Sequence, residues 1–388
     1  MRILCTFVGG LGHLAPLLPL ARAARDAGHE VAIAGSGGLV PRIEDEGFTA
    51  YATSEASHHG AAVSRDPAPL AAMGAEASEA EFAQNFASRG ARRMAGAVPP
   101  VIEDFRPDLV LRDETDLGTT VATELAGVSV ATHLVLASGL LLRPELVAPE
   151  LDAVRIEHGL APDPGLSRLT SGLVLSDAAP GFRSPAAPLR LEPTHYRSGD
   201  AVRSHRSSSR PRVYATLGTI FNRTSGDLFE RLLDGLAELD ADVVVTIGRG
   251  LDPADLGPQP SHVRVVPFVP QSEVLPGVDL MVSHGGSGSL TAALAHGLPS
   301  LLLPLGADQP HNAARAAELG LAVVLDAGTA SPAAIRAGAR TALADAEMLR
   351  RCRDVAADVR ALPGPERAVA ALEAAVTEPW GDGPSLPP

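Results

Sequence analysis

The 388-residue chain lacks lysine altogether and has only two cysteines. Its 32 basic residues are therefore all arginine, and 46 acidic residues outnumber them, which gives a net charge of -14. Nucleic-acid binding normally requires many basic side chains that meet phosphates, so nucleic acid is not an expected partner. Cys5 and Cys352 lie far apart in the sequence, so their spacing supports neither a disulfide framework nor a cysteine metal site.

A long uninterrupted apolar run is also missing. No segment reaches the roughly 18 consecutive apolar residues that a membrane helix needs, so no membrane partner is expected. The first 23 residues resemble a secretory signal in charge and hydrophobicity, but three glycines and His13 interrupt the apolar stretch. We therefore expect a buried first strand, a loop and a helix, in a cytoplasmic protein.

Hydrophobic residues make up 45% of the sequence, and they form short strand-like runs that alternate with helical patterns. In the first half, strand-like runs lie at residues 2–8, 30–34, 108–111 and 128–133. In the second half, they lie at residues 212–217, 243–247, 263–266, 280–283, 300–304 and 321–325. Strands that alternate with helices indicate an α/β protein with parallel, doubly wound sheets.

A polar stretch rich in arginine and serine interrupts this alternation and divides the chain into two Rossmann-like domains. The predicted divisions are a first domain (1–197), a linker (198–211), a second domain (212–362), a helix that packs on the first domain (363–378) and a tail (379–388). Irregular segments at 54–97 and 140–169 are expected to carry substrate specificity. Two such domains that face each other place the carboxyl ends of both sheets at one cleft, where ligands bind.

The loop after the first predicted strand carries His13 immediately before the first helix. An imidazole in this position can accept a proton near neutral pH, which makes His13 a candidate general base. The glycine pattern at 10–15 also fits a dinucleotide fingerprint, but the second strand ends in small residues at 34–36 and lacks the acidic residue that would hold a ribose. NAD binding is therefore the weaker interpretation.

A catalytic histidine benefits from a carboxylate on its other ring nitrogen, which fixes the tautomer and stabilises the imidazolium. Asp113 ends a predicted strand of the same sheet, at the same edge as His13. Glu114 and Asp116 are alternative partners that the strand pattern alone does not exclude, although Asp116 also suits a helix-capping role.

A second motif, Ser-His-Gly-Gly-Ser-Gly-Ser-Leu at 283–290, follows a strand and begins a helix. Such a segment presents backbone N–H groups and the positive end of the helix dipole to an anion, so it predicts a pyrophosphate site. Ser287 and Ser289 add hydroxyl donors, and His284 adds a donor that can be cationic.

Two other strand ends in the second half carry side chains suited to a nucleotide sugar. Asp308 lies in a strand-to-helix connection at 305–312, where it can bind sugar hydroxyls or cap the helix. Phe268, in the segment 267–271, offers an aromatic face to a nucleobase or belongs to the core.

Together these segments resemble the motifs of a known family. The stretches 9–13, 111–115, 268–271 and 284–312 are similar, in order and in position, to those of the UDP-glycosyltransferase-like family. The resemblance is to its actinobacterial members, which glycosylate antibiotics and other natural products. It implies the GT-B fold, in which two Rossmann-like domains with parallel, doubly wound sheets face each other.

The resemblance also implies roles for individual residues. His13 would deprotonate the acceptor, and Asp113 would be its acidic partner. With Ser287 from the helix motif, the expected donor-binding residues are Gly218 and Thr219 for phosphate, Phe268 and Val269 for the nucleobase, His284, Gly286, Gly288 and Ser289 for the pyrophosphate, and Asp308 and Gln309 for the sugar. Two of these depart from the common pattern, since Ser289 replaces a threonine and Phe268 stands where many relatives have tryptophan.

The predicted reaction is an inverting transfer of a sugar, expected to be a deoxysugar, from a TDP- or UDP-sugar. The acceptor is a hydroxyl of a small-molecule natural-product aglycone, such as a polyketide. The helix terminus and polar side chains are expected to hold the diphosphate without a metal ion, and no cofactor is predicted. The Asp-Ala-Asp triplet at 240–242 precedes a strand and so lies at the wrong sheet edge for a metal in the cleft.

Three alternatives remain open from the sequence: a sugar-nucleotide epimerase of the same fold, an NAD-dependent oxidoreductase and a noncatalytic helper protein that binds a nucleotide sugar. The epimerase would act on the donor alone, and a helper has little reason to keep both His13 and Asp113. The sequence leaves the oligomeric state open, with a homodimer as one option.

Overall fold

The computed structural model describes residues 1–56, 70, 72–199, 210–218 and 225–377. Within these ranges the chain forms two separate parallel β-sheets, with helices in the connections between strands. The prediction of an α/β protein with two doubly wound parallel sheets is therefore confirmed. Most of the predicted linker and the whole tail at 379–388 lie outside the described residues.

The first sheet has seven parallel strands in the order β3-β2-β1-β4-β5-β6-β7. They are β1 (Arg2–Thr6), β2 (Glu30–Gly35), β3 (Thr49–Ala52), β4 (Leu109–Asp113), β5 (Ser129–His133), β6 (Leu173–Ser176) and β7 (Thr194–His195). The sequence pattern does not predict β3, β6 or β7. These strands have four, four and two residues, which is too short for a clear pattern.

Helices connect these strands and fill the segments that look irregular in the sequence. They are α1 (Leu11–Asp26), α2 (Val40–Asp45), α3 (Ala75–Phe82), α4 (Ala91–Phe105), α5 (Gly118–Ala126), α6 (Pro144–Glu157) and α7 (Ser167–Thr170). A π-helical stretch, Ala83–Gly90, joins α3 directly to α4. The described part of the segment at 54–97 is therefore mainly helical.

The second sheet has six parallel strands in the order β10-β9-β8-β11-β12-β13. They are β8 (Arg212–Thr216), β9 (Asp242–Thr246), β10 (Val263–Val266), β11 (Leu280–Ser283), β12 (Ser300–Leu302) and β13 (Ala322–Val324). The helices are α8 (Leu228–Ala237), α9 (Gln271–Val274), α10 (Ser287–Ala295), α11 (Gln309–Glu318), α12 (Pro332–Ala344), α13 (Ala346–Ala361) and α14 (Pro365–Thr377).

Both sheets change their winding direction beside a central strand. In the first sheet β1 lies between β2 and β4, and in the second β8 lies between β9 and β11. Connections on the two sides of such a point diverge, which opens a crevice at the carboxyl ends of the strands. The loops after β1 and β4 therefore meet at one crevice, and the loops after β8 and β11 meet at another.

Several contacts join the two halves. Met73 N donates to Leu305 O at 2.8 Å. The guanidinium of Arg315, on α11, donates to Phe182 O at 3.0 Å and to Gly181 O at 2.9 Å. These hydrogen bonds link α11 and the loop before it to segments of the first half.

The last described helix, α14, packs on the first sheet rather than on the second. Its Ala368, Val369 and Leu372 are buried in the same apolar cluster as Leu17 of α1 and Ile33 of β2. The chain therefore returns to the first half after completing the second sheet.

In the described ranges, no helix combines the length and the apolar character that crossing a membrane requires.

Close contact between α4 and α5 leads to a stability prediction. A Cβ added at Gly118 would lie 2.2 Å from the carbonyl oxygen of Ala91, so one helix must shift. We expect Gly118→Ala to lower the free energy of unfolding by about 1 to 3 kcal/mol. The control is Gly96→Ala in α4, whose Cβ would meet no atom within 4 Å. Its free energy of unfolding should rise by about 0.5 to 1 kcal/mol, because alanine has a higher helix propensity than glycine. Urea unfolding measures both, and equal stabilities would contradict the tight contact.

Candidate active site

His13 and Asp113 meet at the crevice beside β1 and β4. His13 lies in the first turn of α1, Asp113 is the last residue of β4, and Nδ1 of His13 is 3.4 Å from Oδ2 of Asp113. The Asp113 side chain is fully buried, whereas 20% of the His13 side chain is exposed. The imidazole therefore borders the crevice and the carboxylate lies behind it.

Gly9 makes room for this imidazole. Its φ of +105° is in the region that favours glycine, and a Cβ at this position would lie 2.6 Å from His13 Cδ2. His13 N donates to Gly10 O at 3.0 Å, which closes the turn that carries the side chain. The absence of a side chain at Gly9 thus allows the His13 ring to occupy this position.

Thr115 connects the two residues, although the sequence analysis does not single it out. Its Oγ1 is 3.1 Å from His13 Nδ1 and 2.6 Å from Asp113 Oδ1. A hydroxyl that donates its single proton to the carboxylate can only accept from the imidazole. In the neutral imidazole, Nδ1 of His13 therefore carries the proton, and Nε2 carries the lone pair.

Asp113 keeps its charge in a buried position because several donors converge on it. Val8 N donates to Oδ2 at 3.1 Å, and Thr115 N and Asp116 N donate to Oδ1 at 2.5 and 3.1 Å. Burial by itself raises the pKa of Asp113, but the charge of His13 and the hydrogen bonds from His13 and from the hydroxyl and amide of Thr115 outweigh it. The pKa of Asp113 therefore lies below its ordinary value.

The two alternative carboxylates have other partners. Asp116 accepts from Thr119 N at 3.2 Å and from the Thr119 hydroxyl at 2.7 Å, so it caps the start of α5. Burial, followed by the charge of Asp113, raises the pKa of Asp116 to about 6. Glu114 accepts from backbone amides of the loop after β5. Among the described residues, Asp113 is the carboxylate that pairs with His13.

The pKa of His13 reflects both halves of the protein. Burial lowers it, but the charge of Asp113 and the hydrogen bond to it outweigh burial, so the pKa lies above the ordinary 6.5. The charges of Asp308 and Asp116 add to this increase. Asp308 belongs to the second half, so the charges that act on His13 come from both halves of the protein.

Phe86 lies beside His13, and the buried Phe82 stacks behind it. The ring centroid of Phe86 is 5.6 Å from that of His13, and Phe86 stacks on Phe82 with centroids 4.8 Å apart. Phe86 lies in the π-helical stretch, within the segment that the sequence predicts to carry substrate specificity. This segment supplies an aromatic wall next to the candidate base.

Across the cleft, His284 lies between two glycines of the predicted donor site. A Cβ at either Gly218 or Gly286 would be 2.7 Å from His284 Nε2, and Gly218 also has a φ of +76°. Burial lowers the pKa of His284 to about 4. At neutral pH it is therefore a neutral hydrogen-bonding group, not the cation that the sequence allows. Thr219, predicted to contact phosphate beside Gly218, lies outside the described residues.

The first turn of α10 offers donors to an anion. Helix geometry leaves the amides of Gly288 and Ser289 without a carbonyl partner in the helix. Ser289 Oγ accepts from Gln271 Nε2 at 3.2 Å, which leaves its own proton to donate. Both residues are therefore suited to the pyrophosphate role expected for them.

Ser287 is engaged differently. Its N–H and its hydroxyl both donate to Asp308 Oδ2, at 3.1 and 2.5 Å, and Asn312 Nδ2 donates to the same oxygen at 2.7 Å. The Ser287 proton is thus directed to Asp308 instead of towards a pyrophosphate. Asp308 caps α10, whereas the sequence suggests capping of the helix that follows Asp308.

Gln309 also has a structural partner. Its side chain is buried, and Oε1 accepts from Leu305 N at 2.8 Å and from Gly306 N at 3.3 Å. The same turn places Ala307 at a φ of +53°, which is unfavourable for a residue with a Cβ. The side-chain oxygen of Gln309 thus stabilises the turn before α11. A contact with a ligand would use the side-chain nitrogen, Nε2.

Phe268 is 44% exposed, which places it at the surface and not in the core. The guanidinium of Arg249 lies 4.4 Å from the centroid of its ring, a cation–π contact that the sequence pattern does not indicate. Val269 packs at the edge of an apolar cluster that includes Tyr214 and Met281. One face of Phe268 is thus paired with a planar cation at the end of β9.

No group of three or more His, Cys, Asp or Glu side chains in the described ranges is arranged to hold a metal ion. Asp242 begins β9, as expected, and Asp240 pairs with Arg210 at 2.9 Å.

Three residues of the site, Thr115, Arg249 and Phe86, have at most a weak signal in the sequence. Thr115 lies two positions after Asp113, and its N–H donates to that carboxylate, which is an Asx turn. An aspartate followed two residues later by a threonine at a strand end could have indicated it. Arg249 and Phe86 have no such local signal, because Phe268 and His13, which they contact at the site, lie on other elements of the chain.

Comparison with known proteins supports one relationship over the whole length. A family model described as the C-terminal domain of erythromycin biosynthesis protein CIII-like proteins matches residues 230–375. Tylactone mycaminosyltransferase from Streptomyces fradiae is 30% identical, over 96% of this chain and 92% of its own length.

Two solved structures show the same arrangement of domains. The glycosyltransferase VinC in complex with dTDP has a TM-score of 0.75 at 26% identity, covering 97% of this chain and 99% of its own. Spinosyn rhamnosyltransferase SpnG, complexed with thymidine diphosphate, has a TM-score of 0.78 at 25% identity, covering 96% and 100%.

The pairing of His13 with Asp113 predicts a change in titration. Asp113→Asn removes the charge but keeps the size of the side chain, so burial should dominate and the pKa of His13 should fall. Histidine NMR signals followed from about pH 5 to 9 measure this shift, with His13→Gln to assign the signal. His284, with a pKa of about 4, should not titrate in that range. An unchanged His13 pKa in Asp113→Asn would contradict the pairing.

Proposed function

This chain belongs to the GT-B glycosyltransferases of actinobacterial natural-product (antibiotic) biosynthesis, and we propose that it transfers a deoxysugar from a TDP-sugar to a hydroxyl of a natural-product aglycone. A UDP-sugar is the next candidate donor. The observation that carries the proposal is the pairing of His13 with Asp113, together with the charge of Asp308, which acts on His13 from the second half and binds the first amide of α10. The thymidine diphosphate bound in two similar structures supports TDP over UDP.

The acceptor hydroxyl is activated by His13. Its Nε2 lone pair takes the hydroxyl proton while the acceptor oxygen attacks the anomeric carbon of the sugar. The bond between that carbon and the diphosphate breaks, and its electron pair leaves with the nucleotide. Attack from the face opposite the leaving group inverts the configuration. Asp113, with Thr115, stabilises the imidazolium that forms.

The charge on the leaving diphosphate is met by dipoles and neutral donors. The amides of Gly288 and Ser289, the Ser289 hydroxyl and the neutral imidazole of His284 supply hydrogen bonds at the positive end of α10. Such fixed donors can replace a divalent cation, so we propose that transfer needs no metal ion and no cofactor.

The nucleobase and the sugar have separate contacts in this proposal. The base stacks on Phe268, whose other neighbour is Arg249, and the backbone of Val269 contacts its edge. The sugar meets Asp308, whose three hydrogen bonds described above all end on Oδ2 and leave Oδ1 for a sugar hydroxyl. Gln309 contributes through its amide nitrogen.

The central test is transfer from a panel of TDP-sugars and UDP-sugars to a panel of polyketide aglycones, in the presence of EDTA. We expect a product that is heavier by one sugar, with an inverted anomeric configuration by NMR. His13→Ala should lower the rate by about 10² to 10⁴ because the general base is lost, while TDP affinity stays within a few-fold.

Other outcomes would assign the protein differently. Activity that is lost in EDTA and restored by magnesium would overturn metal independence. Isomerisation of a donor without an acceptor would indicate an epimerase, and full activity of His13→Ala would remove the proposed base.

A second prediction concerns the diphosphate. A Cβ added at Gly288 meets no protein atom within 4 Å, so Gly288→Ala should leave the fold intact and raise its stability by up to about 1 kcal/mol. The methyl group would occupy the proposed diphosphate space, so TDP binding should weaken by at least about tenfold, or about 1.4 kcal/mol. Calorimetry with Gly96→Ala as a control measures this. Unchanged TDP affinity would place the diphosphate elsewhere.

A further inference from the structure

The loop after β5, residues 134–139, is held by both halves of the protein, and we call it the coupling loop. On the side of the first half, Val135 N and Leu136 N donate to Glu114 Oε2 at 3.1 and 2.9 Å. Glu114 directly follows Asp113, and its other oxygen accepts from Arg183 Nη2 at 2.8 Å. The loop is thus anchored next to the strand end that orients the candidate base.

The next two amides of the coupling loop cross to the second half. Ala137 N donates to Ser287 Oγ at 2.7 Å, and Ser138 N donates to Asn312 Oδ1 at 3.1 Å. Four consecutive backbone amides therefore donate to side chains, the first two to a side chain of the first half and the next two to side chains of the second half. A rotation of one half against the other would break the second pair.

Asn312 also binds the backbone of the proposed diphosphate loop. Its side chain is fully buried, and Nδ2 donates to Gly285 O at 3.0 Å, Ser287 Oγ at 3.2 Å and Asp308 Oδ2 at 2.7 Å. One amide group thus binds the coupling loop through its oxygen and the start of α10 through its nitrogen. Leaving these buried groups unsatisfied would be costly, which fixes their relative positions.

From this arrangement we infer that Asn312 is a positioning residue, which sets the distance between the His13 side of the cleft and the donor loop through the coupling loop. The inference rests on the proposed function. Transfer requires the acceptor oxygen and the anomeric carbon to approach within about 3 to 3.5 Å, and a displacement of about 1 Å can cost about 100-fold in rate. Halves joined only by a linker and mobile contacts would not maintain that distance.

The test compares Asn312→Ala with Arg315→Met. Both residues lie on α11 and cross to the first half, but Arg315 binds the carbonyls of Gly181 and Phe182 and not the coupling loop. In Asn312→Ala we expect kcat for sugar transfer to fall about 30-fold or more, with TDP affinity by calorimetry within threefold. Arg315→Met should keep kcat within threefold of the wild type.

Three results would overturn the inference. Full kcat in Asn312→Ala would show that the contact is dispensable. A loss of TDP affinity equal to the loss of kcat would mean that Asn312 only shapes the donor loop. An equal loss in Arg315→Met would mean that any contact between the halves has the same effect.

Hydrogen exchange of the wild-type protein gives a second measurement that does not depend on the folding of a variant. Because the amides of Ala137 and Ser138 donate to groups of the second half, TDP should slow their exchange at least about fivefold by rigidifying the donor loop. Exchange at these amides that is unaffected by TDP would overturn the coupling. The proposed function is tested separately, by transfer in the wild type and its loss in His13→Ala.

Discussion

The carboxylate of Asp113 is completely buried at the end of β4, and the arrangement of the first half around the cleft follows from satisfying that charge. Backbone amides of Val8, Thr115 and Asp116 bind it, so the loop after β1 and the turn after β4 are drawn together. His13 can then share the same carboxylate. An isolated buried carboxylate would instead become protonated, since burial disfavours its charge.

In the second half, neutral groups are available to bind the negative charge of the proposed diphosphate. A diphosphate is itself negatively charged, so its site needs hydrogen-bond donors that are already oriented. Neutral donors avoid the free-energy cost of burying an ionised side chain. In the proposed function, helix amides at Gly288 and Ser289 and the neutral imidazole of His284 meet that need. Gly218, in the loop after β8, and Gly286, in the loop after β11, leave room for this imidazole, so glycine at these two positions also serves the packing of His284.

Several residues chosen from the sequence as ligand contacts also hold the protein together. Ser287 and Asp308 bond to each other, and Gln309 fixes the turn before α11. Through Asn312 the same cluster reaches the loop after β5 in the other half. The proposed donor contacts and the spacing of the two halves therefore rest on neighbouring members of one hydrogen-bond network.

The sequence by itself determined the alternation of strands and helices, the two sheets and the position of the glycine-rich turns, because hydrophobic periodicity and glycine placement are local properties of the chain. It also brought His13 and Asp113 to one sheet edge, since parallel strands end together. It did not find short strands such as β3, which are too brief to show a period.

Only the tertiary structure decided which polar groups meet. The choice of Asp113 over Glu114 and Asp116, the link through Thr115 and the bond from Ser138 to Asn312 all depend on where side chains from distant segments point. The neutral state of His284 likewise follows from its burial by segments that are far apart in the sequence. Local pattern cannot encode these contacts, because they arise when the two sheets pack and the loops at their edges close on each other.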